Sequence, residues 1–523
     1  MNANAIPIEA SSSDKTAWWA SGAAIVLWIA AAKLILHLLT ASRYGFFGDE
    51  MYHLACGEHL DWGYVDQPPL IALVAWIVRH VLGESLLAVR FIPAVCGATL
   101  VWLTGALVRE FGGGRFAQTL AALATACAGI YFVMSYLFTM NAWEPLIWMG
   151  CAWLVIRIIK TGNQKLWVWF GALAGLGLEN KYSMGVFGFG VVVGLLLTPE
   201  RRALAQKWIW IGGVIALLIF LPNILWNIRH DWPFLELMRN IRAAGRDIAV
   251  GPVEFMARQM FLMNFVGFLI ALAGLLWILL AREGKKFRVL AWTFLTVLAT
   301  FIALKGKDYY PTPAYPMMFA AGGVAIEAFT RRRMAWLKPA LVVALLAVTI
   351  ALLPIVSPVF SPENYLRYQE KLPFPVPATE RSHMYASLPH HFAWQFGWPE
   401  MVAAVARVYN SLPAEERAKT AIFGGSFAQA GAIDLLGPKY GLPKAIGGHQ
   451  SYWLWGPREY TGEIVIVIGS GDVEETRGYF NSCEVAAELH HPYARPGENR
   501  PVLLCRGLKW PLKEVWPRLK DWD

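Results

Sequence analysis

The stretch AWWASGAAIVLWIAAAKLILHLLT, residues 17–40, is apolar over most of its length and follows a polar head at residues 1–15. A helix of this length crosses a bilayer core of about 30 Å. Backbone inside lipid must satisfy its own hydrogen bonds, so the stretch is predicted to be a helix. It is too long for a cleaved signal peptide, and no small-residue cleavage site follows. We therefore predict a retained signal-anchor helix.

Comparable apolar blocks recur along the first two thirds of the chain. Hydrophobic residues make up 56% of the sequence and charged residues 16%, well below the quarter typical of soluble domains. The blocks after the first are residues 86–108, 116–137, 142–159, 166–178, 184–197, 208–226, 259–280, 289–304, 315–329 and 339–356. They predict an all-α polytopic membrane bundle of about eleven crossings. Residues 70–82 are shorter and contain Arg79, which predicts an interfacial or re-entrant helix.

When the predicted crossings are counted along the chain, all the short basic loops fall on the same side of the membrane. They are residues 109–115, 157–165, 201–207, 282–288 and 331–338. The positive-inside rule places them, and the N-terminus, in the cytoplasm of a bacterial inner membrane. The net charge of +9 is explained by these loops, so nucleic acid is not an expected partner.

The loops of the opposite parity mix acids, amides, lysines and tyrosines. They contain residues 48–50, 66–69, 141–144, 179–182, 227–231 and 305–310. Exposure to water alone could explain polar loops, but the basic loops are equally exposed and lack this mixture. A functional site at one membrane face is therefore the favoured explanation. Arg90 lies one turn inside an apolar block, where either snorkelling or an anion such as a lipid phosphate explains it.

The tail, residues 357–523, is predicted to be an extracytoplasmic α/β domain beside residues 1–356, whose first outer loop is residues 41–85. Strands are expected at residues 421–423, 463–468, 484–489 and 501–505, and helices at residues 426–436, 472–479 and 512–520. In an oxidising compartment Cys483 and Cys505 either pair or stay free, and the other cysteines are expected in the core. The pair His390-His391 is expected at the surface of the tail.

The segment GHQSYWLWGPR, residues 448–458, is rich in aromatic rings and hydrogen-bond donors. Such groups commonly hold sugar rings, although tryptophans also serve as core. The candidates for acceptor or sugar binding in this segment are His449, Tyr452, Trp453 and Trp455.

Five pieces of sequence occur in a characteristic order between residues 43 and 329. They are FGDE at residues 47–50, GYVDQPPL at residues 63–70, GES…RFIP at residues 83–93, GLENKY at residues 177–182 and KGKDYY…YP at residues 305–316. The ordered set resembles the protein-O-mannosyltransferase-like, family 39 glycosyltransferases, which include the aminoarabinose and galacturonic acid transferases of lipid A.

The resemblance implies the C-type glycosyltransferase fold, with a polyprenyl-phosphate sugar as donor and Asp49 at the position of the catalytic carboxylate. Two departures stand out. Lipid A-modifying relatives carry Lys where this chain has Gln67, which argues against aminoarabinose transfer. An aspartate that some relatives carry in the third loop is replaced here by Asn141 or Glu144. Gln67, Asn141 and Glu144 are candidates for contact with the acceptor. Glu144 is equally explained as a structural hydrogen-bond partner.

The resemblance implies transfer of a sugar to an extracytoplasmic lipid, glycan or protein, and in-line attack by the acceptor predicts inversion at the anomeric centre. Asp49 is expected to be the base, and Glu50 and Asp66 to orient the base or the acceptor. The donor phosphate and lipid are expected to meet Arg90, Lys181, Tyr182, Lys305, Lys307, Tyr309 and Tyr310. No cofactor is expected; a divalent metal between Asp49 and Asp66 is compatible with the chemistry but not required.

One rival function and two structural interpretations remain open. A transporter or flippase of a lipid-linked envelope intermediate is the rival function, disfavoured because no repeat relates the two halves. Asp49 and Glu50 could also serve only as helix-start residues, where acids are favoured, and Pro68-Pro69 as a rigid break.

Overall fold

The computed structural model describes residues 19, 21–332, 334–378, 386–469 and 471–523. The polar head, the start of the predicted signal-anchor helix and residue 333 of one basic loop lie outside the described residues. Helix α1 runs over Gly22–Thr40, and the Ser21 hydroxyl accepts a hydrogen bond from the Ala24 amide at its start. A serine before an apolar run is a favourable helix start.

The remaining helices of the first 356 residues are α2 (Gly48–Glu58), α3 (Leu70–Val81), α4 (Leu86–Glu110), α5 (Arg115–Cys127), α6 (Gly129–Tyr136), α7 (Glu144–Thr161), α8 (Leu166–Asn180), α9 (Ser183–Leu196), α10 (Lys207–Arg229), α11 (Pro233–Ala243), α12 (Pro252–Leu262), α13 (Phe265–Leu280), α14 (Arg288–Ala303), α15 (Tyr315–Arg332) and α16 (Leu337–Val356). Every predicted apolar block contains a helix or a pair of helices.

Five helices within the described ranges are long and apolar enough to cross a membrane, and three bent pairs raise the number to eight. Helices α5 and α6 meet at 63°, and α12 and α13 meet at 109°. The second bend falls at Asn264, whose positive φ of 63° turns the chain and whose side chain accepts from the Val266 amide. The chain is thus a multi-pass membrane protein; eleven crossings stay a prediction.

The tail contains helices α17 (Pro362–Gln369), α18 (His390–Ala393), α19 (Trp398–Ser411), α20 (Ala414–Arg417), α21 (Phe427–Leu436), α22 (Ser451–Trp455), α23 (Val473–Tyr479) and α24 (Leu512–Val515). Its strands are β1 (Thr420–Gly424), β2 (Ile446–Gly447), β3 (Ile464–Ile468), β4 (Phe480–Ala487) and β5 (Val502–Leu508). Four strands lie where the alternation predicted them; β2 was missed because two residues carry no periodicity.

The strands form one sheet in the order β2-β1-β3-β5-β4. Strands β1, β2 and β3 are parallel, whereas β5 is antiparallel to both β3 and β4. The run IVIVI of β3 is buried throughout, as expected for a central strand of branched residues. Cys483 and Cys505 lie opposite each other on β4 and β5 and form a disulfide.

The tail packs directly on the membrane part through α2 and α21. Their side chains share one core that includes Met51, Tyr52 and Phe427. At Gly431 of α21 a Cβ would lie 3.0 Å from the Met51 carbonyl carbon, so the close approach requires glycine there. The α/β domain is therefore fixed against the helix that carries Asp49.

Candidate active site

A cavity of about 1470 Å³ lies between the membrane helices and the α/β domain. Five of the six predicted polar loops line it, through residues such as Asp49, Asp66, Asn141, Lys181 and Lys307. The remaining wall is largely apolar, and comes from α6, α12, α16 and the segment 372–378. The expectation that polar loops converge at one site therefore matches the geometry.

Asp49 lies in the first turn of α2, half-buried, with its side chain on the cavity wall. The preceding Gly48 lies flat against Trp394, since a Cβ there would come within 2.6 Å of the indole. Trp394 in turn packs edge-on against Phe47, 5.1 Å between ring centroids. These contacts hold the start of α2 at the cavity.

Glu50 points the other way, into the protein. Its Oε2 accepts from the Phe47 amide at 2.8 Å and its Oε1 from the Phe138 amide at 2.9 Å. The guanidinium of Arg90 donates to both oxygens, at 2.9 and 2.8 Å. Neither Glu50 nor Arg90 lines the cavity, and both are buried.

The remaining donors of Arg90 are also occupied. They contact the carbonyls of Ala41 (2.6 Å) and Gly45 (2.8 Å), the Tyr136 hydroxyl (2.5 Å) and Gln395 Oε1 (3.1 Å). A guanidinium has five N–H groups, and this network uses them all. The hypotheses that Arg90 binds a lipid phosphate or snorkels are therefore corrected, because its charged partner is Glu50. The role of Glu50 is corrected as well, because both of its oxygens are occupied and neither can orient an acceptor.

Asp66 lies on the cavity wall in the loop before α3. The Tyr52 hydroxyl donates to its Oδ1 at 2.9 Å and lies 2.7 Å from the Ser451 hydroxyl of the tail. Burial, with a smaller contribution from the nearby Asp49 charge, raises the pKa of Asp66 to about 6. The two carboxylates thus lie close enough to repel each other.

Gln67, expected to contact the acceptor, turns away from the cavity. Its side chain is fully buried, and its amide nitrogen lies 3.8 Å from the Cys56 sulfur. The expectation for Gln67 is therefore wrong.

Lys181 projects from the end of α8 into the cavity. Its ammonium donates to Asn141 Oδ1 at 2.7 Å and to Glu144 Oε2 at 3.1 Å. It also lies 4.7 Å from the ring centroid of Tyr310 and 5.4 Å from that of Tyr309. Glu144 is buried and accepts a second bond from the Ser183 hydroxyl, so it positions Lys181 rather than the acceptor.

The loop at residues 305–310 places Lys307, but not Lys305, on the cavity wall. Lys307 lines the cavity with its ammonium 3.6 Å from Asp247. Lys305 is exposed, lies off the cavity and has a positive φ of 53°. Tyr182 also faces the cavity, with its ring 4.5 Å from that of Phe234.

The aromatic segment of the tail is mostly core. The Tyr452 hydroxyl donates to Asp434 at 2.9 Å, the Trp453 indole donates to the Trp516 carbonyl at 3.0 Å, and Trp455 stacks on His59 at 4.3 Å. None of the three lines the cavity, nor does His449. Their assignment as sugar-binding residues is corrected, because all four lie off the cavity and contact other parts of the protein instead.

Several lining residues were not predicted. His390 and His391 line the cavity, so the expectation that they lie at the tail surface is wrong. Arg258 also lines it, 3.3 Å from Asp308. No sequence signal marked Arg258, because Glu254 and Arg258 read as an ordinary surface pair four residues apart.

Among the described residues, no third His, Cys or carboxylate side chain joins Asp49 and Asp66 in a cluster that could share an ion. Across the described parts of the chain, His449, Asp521 and Asp523 form the group of His, Cys or carboxylate side chains close enough to share an ion. Asp49 and Asp66 are not part of it.

A polytopic helical bundle with an α/β domain over a cavity of acids, lysines and tyrosines matches the C-type glycosyltransferase fold that the motifs implied. The comparisons confirm the resemblance that the motifs indicated. Residues 66–226 match the family model of dolichyl-phosphate-mannose-protein mannosyltransferases.

Particular relatives agree with this class. The lipid A galacturonosyltransferase RgtD of Rhizobium johnstonii is 25% identical over 300 residues, which are 55% of this chain and 61% of RgtD. The crystal structure of ArnT from Cupriavidus metallidurans bound to undecaprenyl phosphate superposes with a TM-score of 0.60 at 15% identity, over 92% of this chain and 97% of ArnT. The apo state of ArnT gives 0.56 at 16% identity with the same coverage. The predicted fold is thereby confirmed.

Proposed function

We propose that this protein transfers a sugar from a polyprenyl-phosphate donor to a lipid acceptor at the extracytoplasmic face of the bacterial inner membrane. The observation that carries the proposal is the composition of one cavity. Asp49 and Asp66 lie on its wall together with Lys181 and Lys307. A transfer of this kind needs a base for the acceptor and cations for the departing phosphate, and both are present.

The apolar part of the cavity suits the donor lipid. Its wall includes side chains of α6 and α16, such as Val133, Met134, Leu352 and Ile355. A polyprenyl chain has only apolar surface, so an apolar groove can hold it beside the polar site without exposing it to water. Undecaprenyl phosphate is the ligand named for the ArnT structure, and lipid A is the acceptor named for RgtD. Both support a lipid-linked donor and a lipid acceptor.

The proposed reaction follows from the positions of the charges. The acceptor hydroxyl oxygen attacks the anomeric carbon while its proton passes to Asp49. The bond from that carbon to the phosphate oxygen breaks, and its electron pair leaves on polyprenyl phosphate beside Lys181. Attack opposite to the leaving group inverts the anomeric centre. Asp66 orients the acceptor, and Tyr309 and Tyr310 flank the lysine that meets the phosphate.

The test uses purified full-length protein with polyprenyl-phosphate sugar labelled in the sugar, and lipid A as acceptor. Label appearing in lipid A, with release of polyprenyl phosphate, is the expected result. Movement of the intact lipid-linked sugar across a vesicle membrane, with no bond broken, would establish the flippase alternative instead.

A further inference from the structure

Helix α1 carries a lysine within its apolar sequence, where a charge is costly. Lys33 is 4% exposed, so its side chain faces the helical bundle and does not snorkel to water. An ionisable group inside a membrane bundle needs a specific partner to offset the cost of its burial. The contacts of Lys33 therefore indicate its role.

The partner of Lys33 is the break between α5 and α6, two helices that meet at 63°. Its Nζ donates to the Ala126 carbonyl oxygen at 3.5 Å and lies 4.2 Å from the centroid of the Phe132 ring. Ala126 belongs to the last turn of α5, and Phe132 belongs to α6. One side chain thus contacts both sides of the bend.

The end of α5 needs a donor of this kind. The last carbonyls of a helix have no amide donor in the same helix, and lipid supplies none. The Ala128 amide donates to the Ala124 carbonyl at 3.1 Å, and Lys33 is placed to donate to that of Ala126. A positive charge is also favoured at this end by the helix dipole.

The opposite end of α5 is held by the opposite charge. The carboxylate of Glu327, on α15, accepts from three backbone amides at 2.6, 3.1 and 3.3 Å, those of Gly114, Phe116 and Ala117. A carboxylate at the first turn and an amine at the last turn complement both ends of the helix dipole. Helix α5 is therefore fixed at both ends by side chains from other helices.

The contact between Lys33 and α6 is closely packed. The ring of His37, one turn further along α1, lies 5.7 Å from that of Phe132. At Gly97 of α4, a Cβ would lie 3.1 Å from Lys33 Cε and would collide with the Ser135 hydroxyl of α6. Side chains from α1 and the backbone of α4 thus enclose this side of α6.

Helix α6 matters because, with the residue after it, it forms an apolar wall of the cavity through Ile130, Val133, Met134 and Leu137. We propose that Lys33 is a positioning residue for the donor. By holding the bend between α5 and α6, it sets the direction of α6 and so the shape of the groove that takes the polyprenyl chain. This role rests on the proposed function; Lys33 itself lies off the cavity.

The test compares Lys33→Met with Glu327→Gln in purified full-length protein. Met keeps the length of the side chain and removes the donor. Glu327→Gln removes the charge at the other end of α5, away from the cavity. The affinity for a fluorescent polyprenyl phosphate should fall by about tenfold in Lys33→Met and stay within about twofold of the wild type in Glu327→Gln. A loss of stability alone would lower the amount of folded protein and leave the affinity unchanged.

Sugar transfer gives a second readout. In Lys33→Met the KM for the donor should rise by the same factor, while kcat at saturating donor stays within about twofold, because Lys33 contacts no reacting group. Phe132→Leu removes the ring on the α6 side of the same contact. It should raise KM as well, which keeps the test if Lys33→Met does not fold.

Unchanged affinity in folded Lys33→Met, an equal loss in Glu327→Gln, or a lower kcat with unchanged KM would each overturn the role of Lys33. Binding of polyprenyl phosphate that depends on Lys33, without sugar transfer by the wild type, would support that role and contradict the proposed transfer reaction.

Discussion

Asp49 and Glu50 are neighbours in the sequence and have opposite surroundings in the structure. Glu50 is enclosed by two backbone amides and the guanidinium of Arg90. Asp49 faces a cavity that also holds Asp66 and Lys181. One peptide bond along a helix turns the side chain by about 100°, which is enough to separate a buried structural carboxylate from one available for chemistry. Adjacent acids therefore need not share a function.

The largest effect expected on turnover comes from Asp49→Asn. Removing the base should lower the rate of sugar transfer by about 10² to 10⁴-fold, since that is the usual contribution of general base catalysis. Transfer of labelled sugar under saturating donor is the measurement. Asp231→Asn, the same change at an exposed loop position off the cavity, is the matched control. Turnover of Asp49→Asn within about tenfold of the wild type would remove Asp49 as the base.

Arg90→Met should act on stability. It leaves the Glu50 carboxylate buried without its counter-charge, which typically costs about 3–5 kcal/mol. Thermal unfolding in detergent is the measurement, with the exposed Arg201→Met as control, expected to change stability by under about 0.5 kcal/mol. The double variant with Glu50→Gln should lose less than the sum of the two single variants. Normal stability of Arg90→Met, with weakened donor binding, would instead restore the phosphate role.

The pH dependence of stability tests the burial of Asp66. The pKa of Asp66 is raised from its ordinary 3.8 to about 6 by burial, so the folded state holds a proton that the unfolded state releases. Stability from this group is therefore full below about pH 4 and lost as pH rises to about 6, by about 3 kcal/mol. Asp66→Asn should lack this loss, so its stability relative to the wild type should rise over that range. A parallel pH profile of the two proteins would contradict the burial of Asp66.

Lys181→Ala is expected to have the smallest effect. Loss of one charge-assisted contact with phosphate should weaken the binding of polyprenyl phosphate by about tenfold or more. Binding can be followed by displacement of a fluorescent polyprenyl phosphate. Lys305→Ala is the matched control, because Lys305 is exposed and lies off the cavity. Equal losses in both variants would mean that the basic loops act through overall charge and not through the cavity.

The polar loops were correctly predicted to meet at one site, and the prediction was poorest for single side chains within those loops and for the tail. Asp49, Asp66, Asn141 and Lys181 were expected at one site and do line one cavity. Gln67 was not separable from Asp66, because a loop carries no periodicity that tells which side chain points inward. Tyr452 and Trp455 are residue types that commonly bind sugars, but here Tyr452 donates to Asp434 and Trp455 stacks on His59.

The sequence by itself determined the membrane helices and the α/β tail, because hydrophobic length and periodicity are properties of local segments. It also placed the polar loops together, since loops of one parity share one side of a membrane. Only the tertiary structure decided that Arg90 belongs to Glu50, that His390 and His391 face the cavity, and that Asp521 and Asp523 meet His449. Those pairings join residues 40 to more than 70 positions apart, and only packing brings such residues together.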